Sequence, residues 1–119
     1  NTIVGTGYNG NARGVINCFE VGCIKDMKNQ PANKAYDLCP AVHAEENAIM
    51  HAARIGISLK GCTVYVTWPP CTRCSRSLIQ AGVSAVVFPA SADVPERWAD
   101  DFALANEMLS EASVALRGA

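Results

Sequence analysis

Residues 62–90 read CTVYVTWPPCTRCSRSLIQAGVSAVVFPA, and three patterns follow one another within them. CTVYVTW (62–68) alternates and is rich in β-branched residues, which predicts a strand. Pro69–Pro70 stop it, because proline carries no N–H for a ladder. CTRCSRSLIQAG (71–82) starts after proline and ends on glycine, so it predicts a helix. VSAVVFPA (83–90) predicts a buried strand.

The flanks extend this unit in both directions. Upstream, HAEENAIMHAAR (43–54) predicts a helix over 43–55. Ala44, Ala48, Ile49, Ala52 and Ile55 recur at helical spacing, and Gly56 ends it. Downstream, Trp98, Phe102, Ala105, Leu109 and Ala112 form one apolar stripe on a helix from about Glu96 to Ser113. NTIVGTGY (1–8) is β-branched and stops at the Asn9–Gly10 turn signal. Residues 10–42 predict a long irregular loop with little regular structure, which in a compact domain is usually functional or metal-tied. Strands alternating with helices predict an α/β layer fold, a sheet between helices.

A chain of 119 residues, half of them apolar and 18% charged, predicts one soluble globular domain. No apolar run approaches the ~18–20 residues that span a membrane, and nothing at the start reads as a signal peptide. The opening at Asn1 looks like the middle of a fold, so a preceding segment is expected. Net charge is −1 and the ten Lys and Arg are scattered. Nucleic-acid binding wants a concentrated basic face, so a small-molecule substrate is the expected partner. The six cysteines include a C-x-x-C, a pattern that fits metal binding in a reducing cytoplasm.

The chemistry-bearing residues stand at two helix starts. Cys71 and Cys74 can grip one metal ion from a single turn, and His43 supplies a third ligand. Three protein ligands with the fourth position left to water describe a catalytic zinc site. Zinc lowers the pKa of its water from about 15.7 to roughly 7. Glu45, two residues after His43, reaches that position without being a ligand and suits a general acid/base. Taken singly, each residue has a plainer role: a helix-cap histidine, an acid complementing a helix dipole, a redox or structural cysteine pair. A structural site would want a fourth protein ligand and has no use for Glu45.

Together these residues form the H-x-E … P-C-x-x-C signature of nucleobase deaminases, and the chain resembles the zinc-dependent cytidine and deoxycytidylate deaminase superfamily. GTGYNG (5–10), INCFEVGC (16–23), VHAEENAI (42–49) and LIQAGVSAVVF (78–88) resemble its deoxycytidylate branch over most of residues 3–90. The resemblance implies a three-layer α/β/α fold with a central mixed sheet, from which the N-terminal helix and first strand are missing. It implies hydrolysis of dCMP to dUMP and ammonia in the cytoplasm, by a homo-oligomer, hexamer or dimer. It further implies that Asn9 binds the substrate near its sugar and that the Ala44 N–H holds the pyrimidine carbonyl. Arg13 is a candidate for the 5′-phosphate. Tyr65 and Trp68 read more simply as packing residues than as site residues. Some members hold a second, structural zinc, for which Cys18, Cys23 and Cys39 are candidates, with His51 or a loop acid as fourth ligand. Free thiols or a disulfide remain open for those three. Two other functions also stay open: a zinc deaminase of cytidine, cytosine or guanine, and a non-catalytic zinc scaffold.

Overall fold

The computed structural model describes residues 2–29 and 38–119. Ten elements follow in order: β1 (Gly10–Asn11), α1 (Cys18–Val21), α2 (Ile24–Met27), β2 (Ala41–Val42), α3 (Ala44–Ile55), β3 (Thr63–Tyr65), α4 (Thr72–Gln80), β4 (Ala85–Phe88), α5 (Ala99–Glu111) and β5 (Ala115–Gly118). A 3-10 turn, Glu96–Trp98, leads into α5.

The strand–helix–strand unit forms as its residues dictate. β3 and β4 pair in parallel, Val64 opposite Val86, and β4 pairs in parallel with β5, Val86 opposite Leu116. The resulting order is β3-β4-β5, and antiparallel pairing is confined to the β1–β2 ribbon. Two crossovers of the same hand place consecutive helices on one face, and α4 and α5 do pack against each other, with α3 beside α4. The core lies between this row of helices and the sheet. Leu78 of α4, Val86 of β4 and Leu109 of α5 are its fully buried members, with Val83 and Val114 beside them. Ile49 of α3 and Val64 of β3 pack against that cluster. Truncating a buried leucine of this kind costs about 2–5 kcal/mol.

Alternation along a strand sends neighbours to opposite faces. Val64, Val86 and Leu116 face the helices, so Tyr65, Val87 and Arg117, the next residues in register, share the other face. Tyr65 is 78% exposed there. That corrects the expectation of a packing role: the helices contacting the core cover the face that Tyr65 leaves.

Three further differences have physical causes. Residues 2–8 form no strand and make no ladder hydrogen bonds, because β-branched composition supplies propensity but not a partner strand. This segment is instead held against α3. Gly7 lies so close that an added Cβ would meet the Ala44 carbonyl oxygen and, at 2.5 Å, the Ala48 nitrogen. The Asn47 side chain donates to the Tyr8 carbonyl at 2.7 Å. The expected irregular loop holds α1, α2 and the β1–β2 ribbon; its residues 30–37 lie outside the described ones. Finally, β5 had no clear signal, since ALRG is short and half small residues; pairing with β4 makes it a strand.

Candidate active site

The site is built on two helix N-termini. His43 is the N-cap of α3 and Cys71 the N-cap of α4. The Cys71 sulfur accepts the Cys74 N–H at 3.5 Å, so one side chain both caps its helix and faces the site. Pro70, fully buried, ends the run from β3 and aims the turn. The positive end of α4 favours the thiolate form of Cys71, its N-cap.

His43 Nδ1 stands 3.6 Å from Cys71 Sγ and 3.3 Å from Cys74 Sγ. A tetrahedral zinc with Zn–N of about 2.0–2.1 Å and Zn–S of about 2.3 Å sets N···S edges of about 3.5 Å. The three donor atoms lie within 4.8 Å of one another, the only such metal-sized group among the described residues. One imidazole and two thiolates at that spacing fit zinc, with a fourth position left open. Cys18, Cys23 and Cys39 form no such group with one another or with His51. Cys18 instead sits against the Asn11 amide at 3.6 Å, and all six cysteines are free.

Cys71 is pulled down to about 4, chiefly by the hydrogen bond from the Cys74 thiol, with further donation from His43. Cys74 is pushed up by that same shared hydrogen, by burial, and by the charges of Glu45 and Glu46. The two sulfurs therefore titrate as a pair that shares one proton. The His43 imidazole is raised by its hydrogen bond to Cys71, against the opposing effect of burial.

Glu45 lies in the first turn of α3 and on the cleft wall, outside the ligand group. Burial is the largest cause raising its carboxyl above the ordinary range, and the nearby Cys71 charge adds to it. A carboxyl raised in this way is better suited to hold and return a proton than an ordinary surface carboxylate.

The site opens into a cleft of about 1140 Å³. The turn at Asn9 reaches it as expected, with a bonding pattern of its own. Asn9 Oδ1 accepts the Ala44 N–H at 2.8 Å. The N–H assigned to a pyrimidine carbonyl is thus held by Asn9, and the Asn9 amide nitrogen makes no hydrogen bond among the described residues. Arg13 is exposed and does not line the cleft. Among the described residues, Lys25, only 7% exposed, and Arg73 are the cations that do. Tyr65 and Trp68 also line it.

Sequence reasoning missed the Arg73–Glu46 ion pair, 2.9 Å between Nε and Oε1, which ties the two ligand-bearing helices together. Both residues were visible inside the motifs. Their pairing needs the crossing of α3 and α4, which no spacing encodes.

Known proteins agree with this geometry. The family described as "Cytidine and deoxycytidylate deaminase zinc-binding region" matches residues 1–90. Deoxycytidylate deaminase of Schizosaccharomyces pombe is 37% identical over 91 residues, covering 76% of this chain and 28% of that protein. The Homo sapiens enzyme of the same name is 39% identical over 92 residues, 74% of this chain and 46% of that protein. Less than half of either relative is therefore spanned. The crystal structure of dCMP deaminase from cyanophage S-TIM5 in complex with dCMP and dUMP superposes with a TM-score of 0.65 at 25% identity, covering 95% of this chain and 70% of that one. The likeness extends over the sheet and its helices as well as the motifs, and the chain belongs to the cytidine and deoxycytidylate deaminase family.

Proposed function

We propose that the chain, as a single zinc deaminase domain over 1–119, hydrolyses dCMP to dUMP and ammonia. One observation carries the reading: a half-buried carboxyl, Glu45, stands beside a His–Cys–Cys group of zinc dimensions and outside it. Two relatives bear the name deoxycytidylate deaminase, and a structural relative binds dCMP and dUMP.

Zinc, which His43, Cys71 and Cys74 would hold, would supply an activated water with a pKa of about 7. The protein's own groups do the remainder. Glu45 takes the proton of the attacking water and delivers it to N3 of the pyrimidine, then takes the proton of the new C4 hydroxyl and passes it to the departing amine. Attack at C4 forms the new C–O bond and the C–N bond breaks, so one water is consumed and one ammonia leaves. Asn9 is oriented by Ala44 so that its amide nitrogen is the free donor on the cleft wall, suited to a sugar hydroxyl. The phosphate requires a cation, and Lys25 or Arg73 meets that need better than Arg13 because both line the cleft.

A homo-oligomer, dimer or hexamer, is inferred as well, supported by the exposed apolar residues Ile16, Phe19, Val21 and Met27 in one segment. Cytoplasmic residence is inferred from the free cysteines; among the described residues no helix is long and apolar enough to cross a membrane.

The deciding experiment incubates the zinc-loaded full chain with dCMP, cytidine, deoxycytidine, cytosine and guanine, measuring ammonia and cytosine absorbance. Fastest turnover of dCMP is expected. Turnover of another base alone would transfer the activity to that substrate, and no ammonia from any of them would overturn the enzyme reading.

A further inference from the structure

We propose that Asp101 of α5 is a positioning residue that sets the metal-binding turn of α4. The proposal rests on the zinc site at His43, Cys71 and Cys74.

Thr72 stands between the two cysteines as the first residue of α4. The first N–H groups of a helix have no partner inside it. In α4 they are shared between two acceptors. The Cys74 N–H goes to the Cys71 sulfur at 3.5 Å. The Thr72 N–H goes to Asp101 Oδ2 at 2.9 Å. The Thr72 hydroxyl donates to the Asp101 backbone carbonyl, also at 2.9 Å. One residue of α5 thus holds one residue of the ligand turn by two bonds, from both its side chain and its main chain.

Asp101 is anchored in its turn. It lies in the first turn of α5, next to Phe102, whose ring stacks on Trp98 with centroids 5.9 Å apart. α5 also packs along α4, with Ala105 and Leu109 buried. The carboxylate is therefore held where Thr72 needs it. It fixes the peptide joining Cys71 to Thr72, and with it the direction in which both sulfurs point. Asp101 lies beyond residues 1–90, the part matched by the family's zinc-binding region, so a residue outside the motif governs the motif's geometry.

Metal-site partners of this kind typically change affinity by about 10–100-fold when removed. The test compares wild type, Asp101→Ala and Asp101→Asn as full chains. Zinc affinity is measured by competition with a chromogenic chelator, and melting temperature on the metal-free proteins. Asp101→Ala is expected to bind zinc about tenfold more weakly. Asp101→Asn should stay within about threefold of wild type, because an amide oxygen accepts the same N–H. A merely structural role would lower both metal-free melting temperatures and leave the zinc affinity of the folded protein unchanged; that result overturns the proposal. Should Asp101→Ala fail to fold, Asp101→Leu removes the same acceptor at nearly the same size, and wild-type zinc affinity in it would overturn the proposal equally. Wild type that binds no zinc would sink the metal site itself, a failure separate from that of Asp101.

Discussion

Asn9 Oδ1 accepts the backbone N–H of Ala44 at 2.8 Å across 35 residues of sequence. This bond fastens the N-terminal turn to the first residue of the helix that carries His43 and Glu45. It also decides which end of the Asn9 amide is free.

Asn9→Asp should separate the two consequences. A carboxylate still accepts the Ala44 N–H but has no N–H of its own. Thermal stability should stay near wild type while kcat/KM for dCMP falls on the order of tenfold, the scale of one lost hydrogen bond. Asn9→Ala removes both functions and should also cost about 1 kcal/mol of stability. Steady-state kinetics and melting curves on both variants check this. Full activity in Asn9→Asp would show that the nitrogen does not touch substrate.

Glu45→Gln should retain one zinc per chain by metal analysis, because Glu45 is not in the ligand group. Its kcat should drop by about 10²–10⁴. Stability should change in the opposite direction. Burial raises the Glu45 carboxyl pKa, so the folded chain binds that proton better than the unfolded chain. This contribution is fully present below the unfolded carboxyl pKa and is lost as pH rises through the folded one. Above the unfolded carboxyl pKa the half-buried acid therefore costs stability, and the amide does not. The metal-free variant should melt a few degrees above metal-free wild type at pH 7, with the gap closing towards pH 4.

Zinc affinity should fall on acidification, since all three ligands bind metal in their deprotonated forms. Cys71 is held down at about 4, so it is already a thiolate through the range that matters. His43 and Cys74 are both raised and must each give up a proton. Below the His43 pKa, log Kd should change by about two per pH unit, and above it by about one. Chelator competition between pH 5.5 and 8 reads the slope directly. A flat profile would exclude the histidine and at least one cysteine as ligands.

Gly7→Ala should destabilise strongly and Gly5→Ala hardly at all. An added methyl at Gly7 meets main-chain atoms of Ala44 and Ala48, whereas nothing lies within 4 Å of one at Gly5. Main chain inside a helix cannot give way as a side chain tip does, so overpacking there should cost about 1–3 kcal/mol. Melting temperatures of the metal-free variants measure the contrast.

The legible parts of this molecule are those where local chemistry and tertiary role coincide. α3, α4 and β4 lie close to the limits that Gly56, Pro70 and Gly82 mark in the sequence, because prolines and glycines act on the backbone they belong to. His43, Glu45, Cys71 and Cys74 were legible together, since a metal, a proton carrier and two helix starts demand those residue types at short spacing. The Asn9 turn reaches the cleft that the motif suggested, while its bond to Ala44 carried no mark in the sequence. Arg13 misled because a cation near a motif in sequence need not be near the site in space.

By itself, the sequence determined the α/β alternation, the two helix heads and the His43, Cys71 and Cys74 group that stands at them, all of which rest on interactions within a few residues. Tertiary structure alone decided that Ala44 donates to Asn9, that Arg73 pairs with Glu46, that Asp101 holds Thr72, that Tyr65 faces the cleft and that residues 115–118 form a strand. Each of these needs two segments brought together by burial of the shared core, and neither segment carries a mark of the other.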